Sequence, residues 1–209
     1  MPVDNKKEST FFSQREQYQR GGIGRWHWDY RDRMIFSLIN PAHSNIIDIG
    51  CGEGITLEKL INRYPGKSIS GIDIMPENVS VCRQHNLPVS PGSVYDMRLE
   101  EGSVDLCILS EVIEHLDDAE LALDNIRRIL KSGGDILIVF PNDTMFKITR
   151  LLFLKFKEAF AESGHVRQYT PQNLKGILEK KGFAVLKVMS IPFKLWAVSL
   201  HCMVLARKI

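Results

Sequence analysis

No stretch of this chain approaches the roughly 18 consecutive apolar residues that a membrane-spanning helix requires. The first residues are polar and lack the apolar core of a secretory signal. Cysteine is sparse: Cys51, Cys82, Cys107 and Cys202 are scattered, with no paired spacing. Cys107 and Cys202 lie in apolar runs and Cys51 in a glycine turn, which points to reduced thiols rather than a disulfide framework. Charge of one sign is also lacking. A formal net charge of +2 makes no global electrostatic case for nucleic acid. No internal repeat is present. These absences leave a soluble, cytoplasmic protein as the expectation, and 209 residues suit one domain, alone or with an elaborated cap.

What the chain does have is concentrated between Ile46 and Gly54. Residues 46–49 (Ile-Ile-Asp-Ile) read as a short buried parallel strand. Gly50, Gly52 and Gly54 follow at every second position, where the backbone can take positive φ and no Cβ blocks a ligand. Apolar residues at 57, 60, 61 and 64 then have helical spacing. A glycine turn at the carboxyl end of a strand is where open α/β sheets bind ligands. An ordinary βα turn with spare glycines fits those residues too, so the rest of the chain has to decide.

The N-terminal side is mixed. Trp26-His27-Trp28 reads either as an aromatic wall over a ligand or as a staple that docks an N-terminal arm. The spacing predicts a helix over 30–39, on which Arg31 and Arg33 reach a ligand carboxylate or stay solvated. After the glycine turn, residues 68–74 form a second strand ending in Asp73 and Ile74. An acid closing a strand about 20 residues past such a turn suits the vicinal hydroxyls of a ribose. The same acid also suits the N-terminus of the helix that Pro76 opens. Further strands are expected over 87–92, 104–109, 135–140, 183–191 and 196–206. The intervening helices are expected over 76–85, over 118–131 with Leu121 in its buried face and Gly133-Gly134 at its end, and after Thr170-Pro171. That makes seven strands with alternating helices.

In this order the motifs resemble the class I S-adenosylmethionine-dependent methyltransferases, especially the small-molecule group that includes ubiquinone-pathway O-methyltransferases. The residues carrying the likeness are 46–54, then Gly71-Ile72-Asp73-Ile74, Val104-Asp105-Leu106, Glu111 to Leu116, and Ile129 to Gly134 before Pro141-Asn142. The likeness spans about residues 44–206. It implies a Rossmann-like α/β fold with helices on both faces of a seven-stranded, mostly parallel sheet whose last strand is antiparallel. It implies a site for S-adenosylmethionine made by Asp48, Gly50, Cys51, Gly52, Gly54, Asp73, Ile74, Val94 and Ser110. Asp48 would hold the methionine part, Asp73 the ribose, and Ile74 the adenine. The group's usual Gly-Asp-Ala after the third strand reads Gly92-Ser93-Val94 here, so a carboxylate for the adenine amine is missing unless Asp96 substitutes. Residues 1–43 would be an arm and helix over the cofactor, and 44–209 the catalytic domain, with 142–169 as a cap over a small-molecule substrate.

Methyl transfer from a sulfonium asks the protein mainly for alignment and exclusion of water. A base is needed only if the nucleophile arrives protonated, and His115 or Glu111 is the candidate. If the segment is helical, the spacing also puts Glu111, Glu114 and His115 on one face, where with His165 they could hold a divalent metal. The small-RNA 2′-O-methyltransferases have a similar run, so metal-dependent RNA methylation is the alternative reading. A non-catalytic cofactor-binding partner or sensor is the third. Residues 145–160, apolar and basic, read either as a lid packed on its own domain or as a helix at a membrane interface. Acceptor and oligomeric state are not legible.

Overall fold

A computed structural model describes residues 13–152 and 164–209. Two helices, α1 (Gln14–Gln19) and α2 (Gly22–Phe36), precede β1 (Asn45–Ile49). Then come α3 (Ile55–Arg63), β2 (Ser68–Asp73), α4 (Pro76–Gln84), β3 (Val89–Pro91) and β4 (Val104–Ser110). They are followed by α5 (Ala119–Ile129), β5 (Leu130–Pro141), α6 (Asp143–Leu152), α7 (Pro171–Lys180), β6 (Phe183–Ile191) and β7 (His201–Lys208).

The strands form one sheet in the order β3-β2-β1-β4-β5-β7-β6. Pairings among β1 to β5 are parallel, and β7 runs antiparallel to both of its neighbours. The chain fills one half of the sheet outward from β1, then crosses to β4 and fills the other. The β1/β4 junction is therefore the switch point, and a crevice opens there at the carboxyl ends of the strands.

Strand alternation divides the core in two. Ile47, Ile49, Cys107 and Leu109 pack with α5 and α7 on one face. Ile46, Leu106 and Ile108 pack with α2, α3 and α4 on the other. Each fully buried Leu or Ile in these layers contributes roughly 2 kcal/mol of transfer free energy. Because side chains alternate, Asp48 shares the face of Ile46, and Ser110 that of Ile108. Two polar groups on neighbouring strands are thus aimed beneath α2 and α3.

Several expected boundaries move, each for a local reason. The helix expected over 30–39 begins at Gly22 and ends at Phe36, because its first turns are held by polar contacts and not by an apolar stripe. The helix expected over 118–131 stops at Ile129, and its Leu121 is 47% exposed. At 100° per residue, Ala119, Ala122, Leu123, Ile126 and Ile129 face inward and Leu121 does not. Gly133-Gly134 does not end that helix. Leu130 is already extended and pairs with Val104, and the glycines lie in the irregularity before Asp135 pairs with Leu106. Trp196–Val198 is a 3₁₀ turn, so the last strand starts at His201. Of the 145–160 stretch, 145–152 belongs to α6, with Leu152 76% exposed, and residues 153–160 lie outside the described residues.

Candidate active site

The glycine turn takes the conformation that its residues permit. Gly50, Gly52 and Gly54 all have positive φ, and Gly54 caps the start of α3. Close approach is as important as φ. A Cβ on Gly50 would sit 2.5 Å from Val112 Cγ2, and one on Gly52 would sit 2.6 Å from Gln14 Oε1. Gly50→Ala should therefore lower stability by about 2 kcal/mol or more, from left-handed strain plus overpacking. Adding Val112→Ala should recover the overpacking part, which denaturant midpoints of the single and double variants would show.

Glu53, between the glycines, ties the N-terminal arm to the turn. Its buried carboxylate accepts from Gln14 N at 2.8 Å, Arg15 N at 2.7 Å and Ser13 Oγ at 3.0 Å. A six-residue helix such as α1 is not stable alone, and these bonds satisfy its orphan N–H groups. Gln14 is thereby placed over Gly52.

The arm, β1, β4 and the turn enclose a cavity of about 200 Å³. Asp48, Gly50, Cys51, Gly52, Ser110, Glu111 and His115 line it, as the sequence reading expected of a single site. Gln14, Trp28, Arg31, Ile55 and Thr56 also line it. Trp28 is thus on the wall, whereas Trp26 is 56% exposed and stacks on Tyr30. Gly54, Asp73, Ile74 and Val94 are not on this wall. Val94 is buried in the core beside Ile72 and Met97. Ile74, 69% exposed, presents open apolar surface past the end of β2.

Asp73 is 5% exposed and already engaged. It accepts from Gly52 N at 2.7 Å, Met75 N at 2.9 Å and Asn78 Nδ2 at 3.0 Å. One carboxylate thus pins the glycine turn and helps start α4, leaving limited lone-pair capacity for a ribose. Asp73→Ala should weaken cofactor binding on the order of tenfold, mainly by releasing Gly52. Calorimetric titration with S-adenosylhomocysteine would show it, and unchanged affinity would refute the assignment.

The floor of the cavity has unmet polar capacity. The Asp48 carboxyl has no hydrogen-bond partner among the described residues, and burial, then Asp32, push it up to about 7. Ser110 Oγ is also buried without a partner. An acid and a hydroxyl left open beneath a Cβ-free turn fit the ammonium and carboxylate of an amino-acid moiety.

The wall beside them is a charge network. Buried Arg31 donates to Glu111, to Asp32 at 3.2 Å and to Thr56 at 3.2 Å. Lys59 in turn donates to Asp32 at 2.6 Å and to Asp29 at 2.7 Å. Arg31 is therefore not a solvated arginine. Glu111, at φ +58°, is turned toward Arg31, and its Oε1 also lies 3.2 Å from His201 Nε2. Burial alone would raise its pKa; Arg31 and then His201 outweigh that and hold it well below the usual carboxylate range. An acid so held makes a poor general base.

The expected common face of Glu111, Glu114 and His115 does not form, because Ile113–His115 is only a 3₁₀ turn and Glu111 points away from it. Glu114, His115 and His165 do converge, with one ligand atom from each within 4.8 Å of the others. Both oxygens of buried Glu114 lack hydrogen bonds. His115 Nδ1 lies 3.1 Å from Gly164 O. His165 Nδ1 lies 2.8 Å from Asp143 Oδ1, in ion-pair range but not aligned as a hydrogen bond.

A profile of the family described as a methyltransferase domain matches residues 18–188. The chain belongs to the S-adenosylmethionine-dependent methyltransferases. The human mitochondrial ubiquinone biosynthesis O-methyltransferase is 30% identical over 77% of this chain and 48% of its own length. The enzyme of that description from Xanthomonas axonopodis is 31% identical over 54% of this chain and 50% of its own. The chain thus spans about half the length of these curated relatives. Among solved structures, a possible histamine N-methyltransferase from Thermotoga maritima has a TM-score of 0.74 at 19% identity, covering 95% of this chain and 96% of its own. A methyltransferase from Archaeoglobus fulgidus has a TM-score of 0.71 at 20% identity, covering 92% and 97%. At those identities the structures speak for the fold alone.

Gln14, Thr56 and His201 are site or near-site residues that the sequence reading did not single out for a role, and His27 entered it only within Trp26-His27-Trp28. The arm itself was expected over the cofactor; its hold through Glu53 was not, and a capping pattern at Ser13 is the one local sign of it. Nothing local marks His201.

Proposed function

We propose that this methyltransferase transfers the methyl group of S-adenosylmethionine to a hydroxyl of a small, largely apolar molecule. The single observation carrying this reading is the crevice at the β1/β4 switch point, lined by the buried Asp48 carboxyl and the unpartnered Ser110 hydroxyl. When bound, the cofactor supplies an electrophilic methyl group. Asp48, Ser110 and the turn backbone hold its amino-acid part, Ile74 offers a surface for the adenine, and Gln14 and Trp28 exclude water. The O-methyltransferase names of the relatives support a hydroxyl acceptor. Exposed Leu151 and Leu152 on α6 and Phe193 and Leu195 before β7 support an apolar one, and with it peripheral contact between the 145–160 segment and a membrane. The test is transfer of labelled methyl into a fractionated cell extract, with catechol and histamine as defined probes. Label in the lipid or small-molecule fraction and on catechol is the expected result. Label on histamine alone, or in no fraction, would overturn it.

A second reading has the convergence of Glu114, His115 and His165 on its side: a divalent cation held there. It predicts that a chelator abolishes transfer. Chelator-sensitive label in RNA would establish the RNA alternative.

A further inference from the structure

His27 on α2 and His201 at the start of β7 do not line the cofactor cavity, but they connect to Glu111, which does. His27 lies four residues, one helical turn, before Arg31, so both project from one face of α2. His27 Nε2 and His201 Nδ1 are 3.1 Å apart, with the rings stacked at 5.1 Å. His201 Nε2 lies 3.2 Å from Glu111 Oε1, and Arg31 donates to that same oxygen. Phe146 of α6 meets both imidazoles at near right angles, with ring centroids 6.4 Å from His27 and 5.1 Å from His201. The result is a row: Arg31, Glu111, His201, His27. Arg31 and His201 are buried, and His27 is half-buried.

The tautomer of His201 decides where the protons lie along the row. In one of its two tautomers His201 carries its proton on Nε2, facing the Glu111 carboxylate. Its Nδ1 is then a lone pair and must accept from His27 Nε2–H. That leaves a lone pair on His27 Nδ1, which has no hydrogen-bond partner among the described residues.

We propose that His27, backed by His201 and Glu111, is the group that accepts the proton of the methyl acceptor. The inference rests on the hydroxyl-acceptor reading above. It replaces His115 and Glu111 as candidate base. Methyl transfer converts a sulfonium cation and a neutral hydroxyl compound into a thioether, an ether and one proton. That proton goes to His27 Nδ1. The Nε2 proton can then shift to His201 Nδ1, and the Nε2 proton of His201 toward Glu111, so the positive charge moves to the anion. The contact between His201 and Glu111 is not aligned as a hydrogen bond, and pairs of this kind commonly tighten only in the reacting complex. The charged and titratable groups facing His27 are Arg31 on its own helix, His201 from β7 and Glu111 from the end of β4. Burial first, then the Arg31 cation, pushes its pKa down to about 4, with Glu111 opposing, so His27 is uncharged at neutral pH and by itself a weak base, and the row behind it must take up the charge.

The test has two arms. Long-range proton–nitrogen NMR of histidine-labelled protein at pH 7, with H27Q and H201Q for assignment, reads the tautomers directly. A neutral His27 protonated on Nε2 is the expected result. A proton on Nδ1, or a charged ring, would overturn the proposal whatever the acceptor. The second arm follows methyl transfer to catechol against pH. H27Q should lose on the order of a hundredfold in kcat near neutral pH, the scale of general-base catalysis. It should regain most of that loss as pH rises through the ionisation of catechol itself, and affinity for S-adenosylhomocysteine should stay unchanged. A loss that is uniform in pH, or one matched by lost cofactor affinity, would mean that the pair merely packs α2 onto β7. If the unaltered protein does not methylate catechol, the hydroxyl-acceptor reading fails with that probe, and the NMR arm still decides the proton arrangement.

Discussion

Glu114→Gln is expected to stabilise this protein, and increasingly so as pH rises from 5 to 8. Glu114 is 2% exposed and neither oxygen is hydrogen-bonded. Burial first, then repulsion from Glu111 and Asp143, raises its pKa from 4.5 to about 8. Because the folded value lies above the unfolded one, the folded chain holds a proton that the unfolded chain has lost throughout that window. Stability contributed by Glu114 is therefore highest below pH 4.5 and falls continuously up to about 8. At one tenfold factor per pH unit, the accumulated penalty at pH 8 is roughly 4 kcal/mol, which an uncharged glutamine of similar shape removes. Denaturant unfolding of both proteins at pH 5 and pH 8 would measure it. Equal stability at pH 8 would show that a cation or another donor meets the carboxylate there. Adding a chelator to the unaltered protein separates those cases.

Arg31→Ala should have an effect of similar size and opposite sign. The guanidinium is 7% exposed and is shared among Glu111, Asp32 and Thr56. Removing one partner of a buried ion pair costs about 3–5 kcal/mol, because the other charge stays buried without compensation. The low end is expected, since Lys59 still serves Asp32 and His201 still neighbours Glu111. The pH dependence reports the cause. Glu111 has a depressed folded pKa, so its stabilising contribution is present above its unfolded value of 4.5 and is lost as pH falls through the lower folded value. Without Arg31 that depression largely disappears, and acid unfolding should begin at a higher pH. Its side chain is 38% exposed, so solvent screens part of the effect, and the shift in the acid midpoint is the quantity to read. An unchanged midpoint would remove Arg31 as the cause.

The two variants also separate the charge network from the cofactor cradle. Arg31 and Glu111 line the cavity, whereas Glu114 does not. Arg31→Ala should therefore weaken cofactor binding as well as stability, and Glu114→Gln should change stability alone.

Periodicity and turn chemistry determined much of this protein without tertiary information. The β-branched run 46–49, the glycines at 50, 52 and 54, Pro76, and the cap at Thr170 are local signals that act within a few residues, and each lies where the spacing places it. Asp48 and Ser110 were named through the likeness to the methyltransferases, and strand register at the switch point sets both on the cavity wall. What the sequence could not determine are contacts closed across long separations. Glu53 holding α1, Arg31 meeting Glu111, and His27 meeting His201 across 174 positions carry no periodic signature. A helix rich in charge is solvated or buried according to what faces it, and only packing supplies the partner. Local spacing placed Glu111, Glu114 and His115 together, and tertiary structure kept Glu114 with His115 beside His165 but turned Glu111 to Arg31 and His201. Glu111 has a left-handed backbone conformation and meets Arg31 and His201, and no spacing rule anticipates either.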